Sequence, residues 1–152
     1  MYKYITFSIS ISIISWLVGM LLNAFVKKST FYTTHLSNLN FVTAKNANKL
    51  LGLPAFKWAV KNSFFKFFNQ KLKLEHKPKR DDLLKLRAEM TSSEIDHLIG
   101  FLFVSIFALQ KIFIQNHLFA LIIMLFNVLL NLYPSLLQQE NKRRIDAFLA
   151  RY

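Results

Sequence analysis

The sequence predicts an all-α integral membrane protein with about three transmembrane helices. Of its 152 residues, 53% are hydrophobic, yet the formal net charge is +12. The apolar residues form blocks long enough to cross a bilayer, and the basic residues lie between the blocks, as is typical of membrane proteins. Three glycines and three prolines leave little room for turn-rich β structure, and open sheet edges are not stable in lipid, so the spans are predicted to be helices.

Three apolar blocks define the predicted spans, which together make residues 1–152 a single membrane domain. The first block, about residues 4–26, carries no charge and ends without a small-x-small cleavage site, so we expect it to remain as an anchor. The second and third cover about residues 95–114 and 118–137. Because the short turn at residues 115–117 joins them, they are predicted to form an antiparallel hairpin.

The distribution of basic residues predicts the orientation. The segment 27–93 contains fourteen Lys or Arg residues and four Asp or Glu residues, and the tail 138–152 adds further basic residues. The positive-inside rule therefore predicts that both lie in the cytoplasm and that the N-terminus lies outside, in the cell inner (plasma) membrane. Since this rule accounts for the positive charge, no nucleic-acid partner is predicted.

Within the cytoplasmic segment, an amphipathic helix is predicted from Leu53 to Phe67. The apolar positions repeat at helical spacing, and Pro54 suits the first turn. Lysines lie off the apolar face, which favours a helix lying in the membrane interface in contact with lipid. The alternative is that the apolar face packs on the protein's own transmembrane helices. The repeating apolar positions are Leu53, Phe56, Val60, Phe64 and Phe67.

Candidate chemistry is concentrated at the start of the second span. Thr91 followed by Glu94 matches a capping box, which predicts that a helix begins at Thr91. Glu94 and His97 have i, i+3 spacing and share a face of that helix. A carboxylate that orients an imidazole and raises its basicity is the minimum equipment of a general base. The alternative is that Glu94 only caps the helix and His97 lies among the lipid head groups.

The third span contributes two amides on one face. Asn127 and Asn131 lie inside an apolar block, and buried amides need partners, so we expect them to face protein or a cavity. Counted from the hairpin turn, the depths of His97 and Asn131 differ by roughly 6 Å, so the two are predicted to meet near the cytoplasmic surface. The polar residues of the following tail emerge at the same place; they are Gln138, Asn141, Arg143 and Arg144.

The run from Asn131 to Arg144 resembles the C-terminal end of the glycosyl-4,4'-diaponeurosporenoate acyltransferase family. Members have an Asn before a short apolar stretch, followed by Gln, Asn and Arg at the spacing found here, and a Glu-x-x-His at the start of the preceding span, matched by Glu94 and His97. The resemblance implies an O-acyltransferase of carotenoid biosynthesis. Such an enzyme transfers an acyl chain to a lipid-like or glycosylated terpenoid acceptor at the cytoplasmic face.

As an enzyme, the protein is expected to use His97, oriented by Glu94, to deprotonate the acceptor hydroxyl. Asn127 and Asn131 would bind the acceptor or an oxyanion. Gln138, Asn141, Arg143 and Arg144 would complete the substrate-binding set, with the arginines binding the phosphates of an acyl-CoA or acyl-carrier donor. No cofactor is predicted, and because the chain has no cysteine, no thiolate metal site either.

The alternative function is a non-catalytic accessory subunit of a larger membrane protein complex. The two asparagines and the face of Glu94 and His97 would then hold helices together, and the partner would be another membrane protein. The shape of the site discriminates between the two hypotheses. A cavity beside His97 favours an enzyme, and tight dry packing favours a subunit.

Overall fold

The computed structural model describes residues 1–41, 52–62 and 79–151, and helices account for nearly all of them. No strand occurs within these ranges. The elements are α1 (Tyr2–Val26), α2 (Thr30–Thr34), a short 3-10 turn (Leu36–Asn38), α3 (Leu53–Asn62), α4 (Arg80–Phe113), α5 (His117–Asn127), a π-helical segment (Val128–Leu132) and α6 (Tyr133–Leu149).

Three helices are long and apolar enough to cross a membrane: α1, α4 and the continuous helix formed by α5, the π-helical segment and α6. This confirms the predicted fold class. With 34 residues, α4 is about 50 Å long, whereas the hydrocarbon core of a bilayer is about 30 Å thick. One end of α4 therefore extends beyond the hydrocarbon core, and the basic and acidic residues of its first turns lie on that extension.

The predicted helix start at Thr91 is wrong, because α4 runs through that position without a break. The hydroxyl of Thr91 instead donates to the carbonyl oxygen of Arg87, one turn earlier, at 2.9 Å. Tertiary packing explains the longer helix. Leu83 and Met90 are buried against Ile145 of α6, and burying these side chains stabilises the turns before Thr91.

The predicted hairpin between α4 and α5 is confirmed. Gln115 adopts a left-handed backbone conformation with φ of 57°, and the side chain of Asn116 caps α5 by accepting from the N–H of Phe119 at 3.3 Å. The Tyr4 ring stacks on Phe119 with centroids 4.2 Å apart. The N-terminal end of α1 therefore lies at the same end of the bundle as the hairpin turn.

A stripe of small and polar residues lets α1 approach the other helices closely. Ser8, Ser12 and Ser15 are completely buried, and Asn23 is 1% exposed. At Gly19, a Cβ atom would lie 2.1 Å from the carbonyl oxygen of Asp96 in α4. Small residues at such a crossing allow backbone contact between membrane helices, and here they bring α1 directly against the part of α4 that carries the candidate site.

The apolar face of α3 packs on the protein itself, which is one of the two interpretations that the sequence left open. Leu53 is 1% exposed, Phe56 stacks on Tyr133 with centroids 4.9 Å apart, and Lys57 forms an ion pair with Glu140 of α6. Trp58, on the outer face, is 70% exposed. The predicted positions Phe64 and Phe67 lie outside the described residues.

Candidate functional site

The third span departs from regular α-helical geometry where it borders the candidate site. Pro134 has no N–H to donate to Leu130, four residues earlier, and its ring is incompatible with a regular helix interior. The chain adopts π geometry over Val128–Leu132, and the N–H of Tyr133 bonds to the carbonyl of Val128. The Trp16 indole of α1 donates to the freed carbonyl of Leu130 at 3.2 Å. Short π-helical segments of this kind are frequent at functional sites.

An apolar cavity of about 450 Å³ adjoins this segment, a volume within the range of about 300–1,000 Å³ usual for small-molecule sites. His97 lies in its wall, with its ring edge-on to the Trp16 ring at a centroid distance of 6.1 Å. The Nδ1 atom of His97 is buried and has no hydrogen-bond partner among the described residues. The apolar lining includes Met20, Phe56, Val60, Leu129 and Leu137.

Asn127 and Asn131 form a buried hydrogen-bonded chain between the three spans. Asn131 donates to the hydroxyl of Ser15 at 3.0 Å and to Asn127 at 2.9 Å, and Asn127 donates to the carbonyl of Phe101 at 3.0 Å. The side chain of Asn131 lies beside His97, as the depth argument predicted. Neither amide lines the apolar cavity, so both primarily hold the helices together around it.

The structure does not bring Glu94 to His97, so the predicted pairing is wrong. Glu94 is fully buried and forms an ion pair with Lys142 of α6, while its other oxygen accepts from Gln139 at 2.8 Å. A buried carboxylate needs a positive partner and hydrogen bonds, and α6 supplies both. Among the described residues, no ion pair or hydrogen bond joins Glu94 to His97.

The buried group of Glu94, Gln139 and Lys142 also holds the chain that follows α2. Lys142 donates to the carbonyl oxygens of Ser37 and Leu39 at 3.4 and 3.3 Å. The Gln139 side-chain oxygen accepts from the N–H of Phe41 at 3.0 Å. Glu94 is therefore part of a structural clamp, which the i, i+3 spacing in the sequence did not indicate.

Of the predicted tail residues, only Gln138 borders the apolar cavity, and it donates to the Ser93 hydroxyl at 3.5 Å. Arg143 donates to the side chain of Asn40 at 2.6 Å, and Arg144 pairs with Glu140 at 2.9 Å. Asn141 is half-buried. The tail thus closes the polar end of the bundle, and the two arginines do not reach His97.

A polar groove of about 630 Å³ lies next to the apolar cavity, and Ser93 and Asp96 line both. Asp96 was not predicted to belong to the site, although a carboxylate at the start of a span costs free energy, and residues of this kind usually have a functional role. Its Oδ1 atom accepts from the Asn23 amide of α1 at 2.7 Å. The groove is also lined by Lys27, Tyr32, Ser37, Arg87, Glu89 and Ser92.

Comparison with the sequence models of protein families tests the family resemblance that the polar residues of the third span and tail indicated. The sequence model of the glycosyl-4,4'-diaponeurosporenoate acyltransferase family matches residues 27–151. The chain belongs to this family. No curated protein and no solved structure matches the chain significantly.

Membership in this family implies that the protein is an acyltransferase of carotenoid biosynthesis. The matched region contains His97, Asp96 and the π-helical segment, and it begins directly after α1. Yet α1 supplies Trp16 to the cavity and Asn23 to the carboxylate of Asp96. In this family member, the first span is therefore part of the candidate site as well as an anchor.

Replacing Trp16 with Phe is expected to destabilise this acyltransferase-family protein by about 1 kcal/mol, because the half-buried carbonyl of Leu130 loses its donor. Thermal unfolding of the protein in nanodiscs measures the change. Trp58→Phe is the matched control, since the chain has two tryptophans and Trp58 is 70% exposed. Equal unfolding temperatures for the two variants would contradict the role of the indole bond.

Proposed function

We propose that the protein is a membrane-bound O-acyltransferase that acts on a hydroxyl of a lipid-like or glycosylated terpenoid acceptor at the cytoplasmic face of the inner membrane. The observation that carries this proposal is the position of His97 in the wall of an apolar cavity formed by the spans together with α3. An apolar cavity with a titratable group in its wall is the arrangement expected of an enzyme acting on an amphiphile. The family membership supports the class of reaction.

In the proposed reaction, the imidazole of His97 removes the proton of the acceptor hydroxyl as its oxygen attacks the carbonyl carbon of an acyl thioester. The new ester bond forms as the carbon–sulfur bond breaks, and the leaving thiolate takes up the proton from His97. The Trp16 ring and the neighbouring Asn131 side chain position the imidazole. Glu94 has no part in this step, because Lys142 and Gln139 occupy its oxygens.

The proposed orientation places the groove and the tail in the cytoplasm and the hairpin turn outside, in agreement with the charge distribution. The exposed Trp58 suits the membrane interface. The donor is proposed to be acyl-CoA or an acyl carrier. Arg144, whose side chain is 61% exposed, and the adjacent Arg143 would attract its phosphates.

A second candidate function, an accessory subunit of a membrane complex, draws support from the chain of buried amides. Asn127 and Asn131 each donate a hydrogen bond to another span, as residues that only hold helices together do. The cavity beside His97 favours the enzyme, because a subunit has no need of an unfilled space next to a titratable residue. Copurification of a stoichiometric protein partner without acyl transfer would support the subunit.

The test is His97→Ala in membranes supplied with a labelled acyl-CoA and a glycosylated terpenoid. Loss of a general base is expected to lower the rate of acyl transfer by about 10²-fold or more. His117→Ala is the matched control, because His117 is exposed and lies at the hairpin turn, at the opposite end of the bundle. Full activity of a correctly inserted His97→Ala variant would overturn the proposed function.

A further inference from the structure

Among the described residues that line the apolar cavity, Gln138 of α6 is the one amide side chain. It lies beside the hydroxyl of Ser93, to which its Nε2 atom donates at 3.5 Å. Ser93 and His97 are four residues apart on α4, so they share a face of that helix and lie about 6 Å apart along it. The Gln138 amide therefore lies about one helical turn from the imidazole, and both border the same space.

The hydrogen-bonding capacity of the Gln138 amide is not satisfied. Its Oε1 atom is buried without a hydrogen-bond partner among the described residues, and its bond to Ser93 is longer than the usual range of about 2.7–3.2 Å. Exchanging the two ends of the amide would let the Ser93 hydroxyl donate to Oε1 and would leave both N–H groups for a partner in the cavity. In either orientation one end lacks a partner, which costs free energy unless a bound molecule supplies one.

The two asparagines that the sequence suggested for binding an oxyanion use their donors elsewhere. Asn131 donates to the side chains of Ser15 and Asn127, and Asn127 donates to the Phe101 carbonyl and the Ser105 hydroxyl. Because a side-chain amide has two N–H groups, neither asparagine has one left for a substrate.

The other polar groups of the cavity wall do not replace the asparagines. The Trp16 indole N–H is bonded to a backbone carbonyl of the π-helical segment. An ionised carboxylate such as that of Asp96 only accepts hydrogen bonds, and the Ser93 hydroxyl lies against Gln138. With His97 serving as the base, the Gln138 amide is the donor in the wall that can bond to a reacting carbonyl.

We propose that Gln138 is a catalytic residue whose amide donates to the carbonyl oxygen of the acyl thioester and to the oxyanion formed from it. As the acceptor oxygen bonds to the carbonyl carbon, an electron pair of the C=O bond moves onto this oxygen, and it returns when the carbon–sulfur bond breaks. The proton passes from the acceptor hydroxyl to His97 and then to the leaving thiolate. Ser93 is a positioning residue, because its hydroxyl holds the amide. The inference rests on the proposed function, which supplies the thioester.

The surroundings of Gln138 favour a large effect on the rate. The cavity is lined mainly by apolar side chains, so the negative charge of the oxyanion develops where water gives little stabilisation. A fixed N–H group aimed at such a charge is worth far more there than in water. Removing one donor of this kind slows acyl-transfer enzymes by about 10²–10³-fold.

The first test is spectroscopic and needs no turnover. Dodecanoyl-CoA labelled with a heavy isotope at the thioester carbonyl is bound to the protein in nanodiscs without an acceptor, and isotope-edited infrared difference spectra record the C=O stretch. Gln138→Met keeps the length of the side chain and removes the amide, so the stretch is expected at a lower frequency in the parent than in this variant. Gln110→Met, at an exposed position of α4, is the matched control and should keep the parent frequency. Equal frequencies in the parent and in Gln138→Met would overturn the inference.

The second test separates binding from chemistry. Gln138→Met is expected to lower kcat by about 10²-fold or more and to leave the KM of the acceptor nearly unchanged, whereas Ser93→Ala should lower kcat less. Gln138→Glu, which keeps the shape and replaces the donor with an oxygen, is the second variant and should lose kcat in the same way. If both Gln138 variants keep the parent kcat, the role of Gln138 is refuted while the proposed function stands. Absence of transfer by the parent would instead refute the proposed function and this inference together.

Discussion

Replacing Gly19 with Leu is expected to destabilise the protein by about 3 kcal/mol, the upper part of the range for overpacked sites. A Cβ at Gly19 would lie 2.1 Å from the carbonyl oxygen of Asp96 and 2.9 Å from its carbonyl carbon. These are backbone atoms of a helix, so no side-chain rotation relieves the clash. The variant must move α1 away from α4, and the bond from Asn23 to Asp96 is lost with it.

Thermal unfolding in nanodiscs measures the stability of the Gly19→Leu variant, and Trp16 emission in the Trp58→Phe background reports the separation of α1. Ala24→Leu is the matched control, because Ala24 is on the same helix and is exposed, so the added side chain enters lipid. The two variants should differ clearly in unfolding temperature and in Trp16 emission. Similar behaviour would show that the close crossing at Gly19 does not hold the bundle.

The prediction of the spans from sequence succeeded because lipid imposes a simple constraint. A helix must bond its own backbone and cover about 30 Å of hydrocarbon, so long uncharged blocks identify it directly. The hairpin followed from the shortness of the turn. The face of α1 that contacts α4 was missed, although the spacing of Ser8, Ser12, Ser15, Gly19 and Asn23 along the sequence is the signal that small residues give at helix contacts.

The helix start could not be read from local patterns, because the tertiary environment determined it, whereas the π-helical segment left a local signal. The helix start predicted at Thr91 had a sound local rationale, but contacts of Leu83 and Met90 with Ile145 extend the helix by more than two turns. The π-helical segment depends on Pro134, which the sequence does show. An apolar helical pattern interrupted by proline would have indicated a distortion at that depth.

The candidate site was predicted in part. His97 and Asn131 were expected to meet, since both positions follow from counting residues from the turn, and the structure places them side by side. Glu94 was assigned to the wrong partner, because spacing along one helix gives no information about Lys142 on another. Asp96 was passed over for the same reason. Its significance depends on Asn23 and on two spaces that the packing of several elements creates.

Replacing Lys142 with Met is expected to destabilise the protein by about 3–5 kcal/mol, because it leaves the carboxylate of Glu94 buried without its positive partner. Lys142 is 3% exposed and Glu94 is fully buried, so water does not compensate the lost charge. The carbonyl oxygens of Ser37 and Leu39 lose their donor as well. Thermal unfolding in nanodiscs measures the loss.

The decisive comparison is the double variant with Glu94→Gln and Lys142→Met. Removing both charges of a buried pair is often close to neutral, and the glutamine can still accept from Gln139, so most of the lost stability should return. Arg144→Gln serves as the exposed-pair control, because the Arg144 side chain is 61% exposed in its pair with Glu140, and it should cost less than about 1 kcal/mol. If Lys142→Met alone is as stable as the parent, the clamp is not what holds the polar end of the bundle. If the double variant recovers stability and keeps acyl transfer, Glu94 is structural, and its carboxylate is not needed for the chemistry proposed at His97.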